Sequence, residues 1–148
     1  MFAVKITEHF DSLEFACKDG VLYPDDWIAD RLTPLCQTLE VIRTAAGGSP
    51  IHILSGYRTL EYNRQLGGAA SRPGDGWAGD NSQHPQGRAA DFTHPTLSAE
   101  VVHKMILKLY AAGQLPDLGG LGLYVVKQFI HADVRPRGAD NHLAQWWA

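Results

Sequence analysis

The sequence has only two cysteines, Cys17 and Cys36, and they do not form a Cys-x-x-Cys unit. This shortage excludes a metal site built mainly from cysteine, such as a zinc ribbon. Both thiols are expected to be buried and free, because free cysteine is among the most buried residue types. A single disulfide between them is the alternative.

The sequence also lacks an excess of positive charge and a long hydrophobic run. Its net charge of −3 provides no basic field for nucleic acid or for an anionic membrane surface. The longest apolar runs, such as residues 123–126, are too short to span a bilayer. The first 17 residues contain no apolar segment typical of a secretory signal. We therefore expect no nucleic-acid partner, no membrane span and synthesis in the cytoplasm.

The length of 148 residues and the hydrophobic content of 45% predict one domain over residues 1–148. Apolar residues recur every three to four positions from Ile28 to Ile42, which predicts an amphipathic helix closed by Gly47 and Gly48. Pro34 lies inside this pattern. It either kinks one helix or occupies the first turn of a second helix capped by Thr33.

The rest of the chain alternates short strands with helices. Strands are predicted at residues 50–55, 88–92, 121–126 and 128–135, and helices at residues 59–66 and 99–112. The glycine-rich residues 67–81 are predicted to form a long loop. This order favours an α+β domain with a mostly antiparallel sheet, helices on one face and the functional site on the other.

One imidazole and one carboxylate, His84 and Asp91, lie seven positions apart, with Gly87 between them to allow a turn. A second imidazole, His131, follows forty residues later. Two histidines and one carboxylate are a ligand set for catalytic zinc, because they leave the fourth position open for water. We therefore predict that these three residues bind one Zn²⁺ ion.

The other histidines have no such frame around them and are expected to be ordinary surface or hydrogen-bonded core residues. His103 falls on the polar side of its predicted helix. The remaining members of this group are His9, His52, His94 and His142.

Three segments resemble a known family. The pattern S-x-H-x-x-G-x-A-x-D over residues 82–91 resembles the signature of the zinc D-Ala-D-Ala carboxypeptidases and L-alanyl-D-glutamate endopeptidases of peptidoglycan. Residues 55–58, Ser-Gly-Tyr-Arg, followed by Tyr62-Asn63, resemble the family's upstream segment, and residues 120–133 its closing hairpin. Residues 9–17 are similar to the start of short, cell-wall-lytic members found in phages and prophages.

The resemblance implies the fold of lysostaphin-type peptidases and of the hedgehog signalling domain. It implies a zinc peptidase that hydrolyses a peptide bond in peptidoglycan stem peptides, as a carboxypeptidase or an endopeptidase. The expected partner is thus a peptidoglycan peptide, and the protein is expected to be a monomer. The chain would reach the cell wall after lysis or as part of a phage particle.

The resemblance also assigns substrate-binding residues. Arg58 is expected to hold a substrate carboxylate through two parallel hydrogen bonds, although a solvated surface charge is the alternative. Tyr57 belongs to the same segment and is assigned to substrate binding with it. Ser82 is expected to contribute to the site by orienting the loop that carries His84, or else to be a simple turn residue.

The general base departs from the family pattern. Many relatives place an acid three residues before the last zinc histidine, or a histidine two residues before it. Gln128 and Phe129 occupy these positions here, and neither side chain can accept a proton. Residues 72–81 resemble an insertion, and Asp75 and Asp80 within it remain candidates for the base.

Asp133 is a further candidate, because residues two apart in a strand share a face and Asp133 follows His131 at that spacing. Its carboxylate would act as the general base, or would orient a zinc-bound histidine, or would pair with Arg135 or Arg137.

A chain that has lost the general base would bind zinc without hydrolysing a peptide bond. The alternative function is a non-catalytic, zinc-stabilised module that binds the cell wall or forms part of a virion.

Overall fold

The computed structural model describes residues 3–66 and 82–148. The strands are β1 (Lys5–Thr7), β2 (Phe10–Asp11), β3 (His52–Ser55), β4 (Ala89–Thr93), β5 (Gly120–Tyr124), β6 (Phe129–Asp133) and β7 (Ala144–Trp147). The helices are α1 (Thr33–Ala45), α2 (Leu60–Gln65) and α3 (Ala99–Ala111). The loop predicted at residues 67–81, with Asp75 and Asp80, lies outside the described residues.

Five of the strands form one sheet in the order β3-β4-β6-β5-β7, and β1 pairs with β2 separately. Neighbours in the large sheet run antiparallel, except β5 and β7, which run parallel. The predicted α+β fold with a mostly antiparallel sheet is thereby confirmed.

The two faces of this sheet differ in chemistry. Alternate residues of the three central strands are buried and apolar on one face, where α3 packs against β5 and β6 and α1 packs against α3. These residues are Ala90, Phe92, Leu121, Leu123, Ile130 and Ala132. The intervening residues, including Asp91 and His131, face the opposite side. Helices α1 and α3 therefore lie on the face opposite the site, as the sequence predicted. The short helix α2 instead lies beside the site, where its Asn63 contacts Arg58.

The predicted helix around Pro34 is continuous. A π-helical turn, Ile28–Leu32, runs directly into α1, and the backbone N–H of Thr33 donates to the carbonyl of Ile28. Thr33 has helical backbone angles and does not cap a new helix. The wider turn accommodates a proline, which has no N–H to donate and would clash in a regular α-helix.

Most other predicted elements are confirmed within a few residues. Side-chain caps begin α2 and α3: the Thr59 hydroxyl accepts the N–H of Tyr62, and the Ser98 hydroxyl accepts that of Val101. Both cysteines are free and buried, as expected. None of the helices described in residues 3–66 and 82–148 has the length and apolar character needed to cross a membrane.

Strands β1, β2 and β7 were not predicted, and β7 changes the surroundings of α3. Trp147 from β7 lies edge-on to His103, with their ring centroids 6.2 Å apart. His103 is consequently buried, at 7% exposure, and the expectation that it lies on a polar helix side was wrong. The added strand covers a surface that helical periodicity alone leaves exposed.

Gly87 adopts a left-handed conformation, with φ of +70°, in the turn between His84 and β4. A Cβ atom there would lie 2.7 Å from Cε3 of Trp27 and 2.8 Å from the hydroxyl oxygen of Tyr23. The Tyr23 hydroxyl also donates to the Gly87 carbonyl over 2.6 Å. The turn thus has room for glycine alone, and two aromatic side chains hold it in place.

We predict that Gly87→Ala destabilises the metal-free protein more than Gly113→Ala does. Gly113 has a similar φ of +76° but open space around it, so its substitution measures backbone strain alone, about 1–2 kcal/mol. The Gly87 variant adds overpacking of about 1–3 kcal/mol. Urea denaturation monitored by circular dichroism compares the two, and equal losses would show that Tyr23 and Trp27 simply move aside.

Candidate metal centre

A single row of paired residues crosses the sheet and forms the floor of the site. Asp91 on β4 pairs with Ser55 on one side and with His131 on the other. His131 pairs in turn with Gly122, and Gly122 with Trp146. Because paired residues project from the same face, strand register alone brings the carboxylate and one imidazole together.

His84 joins this row from the preceding loop. Its Nε2 lies 3.2 Å from Oδ1 of Asp91, and Nδ1 of His131 lies 3.0 Å from the same oxygen. One potential ligand atom from each of the three residues lies within 4.8 Å of the others. All three residues are buried, with exposures of 4–7%. The donor set of two imidazoles and one carboxylate fits zinc, and the three predicted ligands are brought together.

The outer nitrogen of each imidazole is held by a hydrogen-bond partner. Nδ1 of His84 lies 2.7 Å from the carbonyl oxygen of Gly56, so it carries the proton and leaves Nε2 facing Asp91. Nε2 of His131 lies 2.8 Å from Oδ2 of Asp133. Such contacts fix the ring orientation and tautomer of histidines that bind metals.

Asp133 is fully buried, and its carboxylate contacts the nitrogen of His131 that does not face Asp91. The guanidinium of Arg135 donates to both oxygens, from Nε at 2.8 Å and from Nη2 at 2.7 Å. Both oxygens are therefore engaged by Arg135, and one also contacts His131. This arrangement combines two of the roles considered from the sequence, the ion pair and the orientation of a histidine.

The carboxylates and imidazoles of the site stabilise one another's charged forms. Burial alone would raise the pKa of Asp91, but the two adjacent imidazoles hold that pKa well below its ordinary value. Burial lowers the pKa of His84. Burial also opposes protonation of His131, yet hydrogen bonds with Asp133 and Asp91 outweigh it and raise the pKa of His131 to about 8. The metal-free site thus favours a charged Asp91 and a protonated His131.

Arg58 also contacts the cluster, through a network rather than as a solvated charge. Its Nη2 lies 3.3 Å from Oδ2 of Asp91, the oxygen that does not face the imidazoles. Its Nε donates to the Ser55 hydroxyl over 3.0 Å and its Nη1 to Oδ1 of Asn63 over 3.2 Å. The Ser82 hydroxyl donates to the same Asn63 oxygen over 3.4 Å. Asn63 therefore joins Arg58 to the loop that carries His84.

A groove of about 690 Å³ opens over the three clustered residues. Arg58 and Ser82 line it, whereas Tyr57 does not and instead packs edge-on against Tyr23 and Trp27. Among residues 3–66 and 82–148, Asp91 provides the only carboxylate in the lining.

Gln128, at the position where the family resemblance leads us to expect an acid, does not line the groove. Its side-chain oxygen accepts the N–H of Ala99, and its amide nitrogen donates to Glu100 and to the Val125 carbonyl. Gln128 therefore joins the β5–β6 turn to the start of α3, so its role in this structure is to connect these two elements.

One wall of the groove is aromatic and was not predicted. Tyr124 stacks on Phe129, with ring centroids 4.2 Å apart and planes 10° apart. The ring of Trp146 lies 4.9 Å from that of His131. Period-two alternation places Tyr124 on the same face as Gly122 and was a usable signal in the sequence, whereas Trp146 depends on the unpredicted β7.

Comparison with known proteins explains this combination of sheet, ligand set and groove. A sequence model described as Peptidase M15 matches residues 8–133. The chain belongs to the M15 peptidase family. This confirms the resemblance noted from the sequence motifs. The match contains all three clustered residues and Asp133, and it ends before β7.

Individual relatives of this M15 peptidase match a smaller part of it. The chain is 31% identical over 87 residues to the peptidoglycan L,D-endopeptidase MepK of Escherichia coli strain K12. The protein of the same name from Shigella flexneri matches equally well. The aligned segment covers 59% of this chain and 41% of each relative, so the chain spans well under two thirds of their length.

We predict that His84→Ala and His131→Ala each abolish stoichiometric zinc binding by this M15 peptidase, because two remaining ligands hold the ion weakly. His52→Ala is the matched control, since His52 is exposed on β3. Elemental analysis after dialysis against zinc-buffered solution measures the result. One equivalent of zinc in both ligand variants would exclude these residues as ligands.

Proposed function

We propose that this M15 peptidase is a zinc enzyme that hydrolyses a peptide bond in peptidoglycan stem peptides. The observation that carries the proposal is the convergence of Nε2 of His84, Oδ1 of Asp91 and Nδ1 of His131 beneath the groove. These atoms would hold one Zn²⁺ ion. The ion would supply a Lewis acid for the scissile carbonyl and would acidify the attacking water.

Arg58 and Asn63 would prepare the carboxylate ligand. The guanidinium neutralises Oδ2 of Asp91 and directs Oδ1 towards the imidazoles. Arg58 keeps N–H groups beyond its three contacts, since a guanidinium has five. We propose that these bind a substrate carboxylate at the groove, so that one side chain orients a ligand and anchors the peptide. Ser82 supports the same network through Asn63, and Tyr57 contributes packing.

Asp133 is proposed as a positioning residue for His131. Its oxygen accepts the remaining N–H of the imidazole, and Arg135 keeps the carboxylate charged by holding its pKa well below the ordinary value, although burial opposes this. A charged partner raises the basicity of the histidine as a ligand. The general base is then a different group, and Asp75 and Asp80 remain the proposed candidates.

The substrate class rests on the relatives and on the groove. The relatives are named as peptidoglycan L,D-endopeptidases, and free carboxylates on stem peptides suit the Arg58 guanidinium. The name of these relatives favours an endopeptidase over a carboxypeptidase. The site of action would be the cell wall, reached after lysis or as part of a phage particle.

One observation favours a second candidate function. The described groove has no carboxylate besides Asp91 to serve as a base, as expected of a non-catalytic module that keeps zinc and binds the cell wall.

The two functions are separated by incubating purified peptidoglycan sacculi with the zinc-loaded protein. We expect soluble peptide fragments, identified by mass, whose release stops with a chelator and resumes with added zinc. The His131→Ala variant is the matched control. Sedimentation of the protein with sacculi and no fragment release by the wild type would support the binding module instead, and product masses distinguish endopeptidase from carboxypeptidase cleavage.

We predict that Asp133→Asn weakens zinc affinity by about 10–100-fold, because the amide cannot supply the negative charge that orients His131. Activity should return towards the wild-type level at saturating zinc. Competition with a chromogenic chelator measures the affinity. Unchanged affinity together with a hundredfold loss of kcat would assign Asp133 the role of general base instead.

A further inference from the structure

The aromatic wall contains a hydroxyl group whose orientation is set by its neighbours. The indole Nε1–H of Trp146 donates to the hydroxyl oxygen of Tyr124 over 3.0 Å. The Tyr124 ring is fixed by its stacking on Phe129. A phenol that accepts a hydrogen bond still has its own proton to donate. No acceptor for that proton contacts Tyr124 within residues 3–66 and 82–148.

The hydroxyl lies in the same groove as the metal-ligand candidates. Tyr124 and Trp146 both line the groove, and the Trp146 ring is 4.9 Å from that of His131. The Trp146 indole therefore connects the Tyr124 hydroxyl to His131 of the ligand cluster. A preorganised donor in the same groove suits the carbonyl oxygen of a peptide that lies over the cluster.

Strand pairing fixes the position of Trp146 in the aromatic wall. A Cβ atom on Gly122 would lie 2.5 Å from Nε1 of Trp146, so the indole occupies space that only a glycine leaves. Strand β7 places it there by pairing Trp146 with Gly122. The same indole then lies beside the His131 ring and donates its N–H to the Tyr124 hydroxyl.

We infer that the Tyr124 hydroxyl is a catalytic hydrogen-bond donor to the carbonyl oxygen of the scissile peptide bond, and that Trp146 is its positioning residue. The inference rests on the proposed peptidase function. A peptide carbonyl gains negative charge as water attacks its carbon, and a fixed donor stabilises that charge more than it stabilises the substrate. Tyr124 would thus act on kcat more than on KM.

The first test compares Tyr124→Phe with Tyr110→Phe in the zinc-loaded protein. Phenylalanine keeps the stack on Phe129 and removes only the oxygen. Tyr110 is the matched control, because its hydroxyl also accepts an N–H, from Arg137 over 2.7 Å, and does not line the groove. We expect Tyr124→Phe to lower kcat at least tenfold at nearly constant KM, zinc content and Tm, and Tyr110→Phe to leave kcat unchanged.

A second measurement does not depend on turnover. A phosphinate peptide carries the tetrahedral, charged centre of the transition state, and a matched peptide whose scissile amide is N-methylated, so that it resists cleavage, carries an ordinary carbonyl. Calorimetry should show that Tyr124→Phe weakens phosphinate binding at least tenfold and binding of the matched peptide by less than threefold. Equal weakening of both would overturn the catalytic role.

The role of Trp146 is tested by a double-mutant cycle. Trp146→Phe keeps an aromatic ring but removes the indole N–H, so we expect a smaller fall in kcat than for Tyr124→Phe. The double variant should be no slower than Tyr124→Phe alone, since the effect of Trp146 passes through the hydroxyl. Additive losses would overturn the positioning role.

The outcomes also separate this inference from the proposed function. A wild-type protein that binds zinc but cleaves no peptidoglycan overturns both. A wild-type protein that cleaves it, with Tyr124→Phe equally active, overturns the inference alone.

Discussion

Asp91 lies directly opposite His131 in the register of β4 and β6, and the other contacts of the site are arranged around this pair. A slip of one residue would turn His131 towards the helices and bring Ile130 or Ala132 to the groove. The register is fixed on the opposite face, where those two residues and Phe92 are buried in the core. The free energy of burying apolar side chains therefore also holds the ligand atoms in position.

Burying this many ionisable groups requires that their charges be matched. Asp91 faces two imidazoles and Arg58, and Asp133 faces one imidazole and Arg135. Each carboxylate is thereby kept charged despite burial. A metal cation would take the place of the proton that the metal-free site favours on His131, so metal and proton compete for one position.

Local patterns predicted much of this architecture. The three clustered residues were predicted from their donor types, from the turn at Gly87 and from the resemblance of residues 82–91 to the family signature, and a turn and two strands bring them together. Contacts distant in sequence were harder to predict: the contact of Arg58 with Asp91, 33 positions later, does not follow from the segment that carries Arg58. The three roles considered for Asp133 depend on its contacts with His131 and Arg135, which strand spacing alone does not determine. Strand β7 has only Ala144–Trp147 and no flanking pattern, so its parallel pairing could not be inferred.

The floor and the wall of the groove depend on different parts of the chain. The floor comes from residues within the segment that matches the M15 family, residues 8–133, whereas Trp146 lies beyond it. Gly122 connects the two, since it pairs with His131 on one side and makes room for the indole on the other. Changes in β7 can therefore alter the wall without moving the ligand atoms. Such a division would let the lining of the groove vary while strand register preserves the three clustered residues.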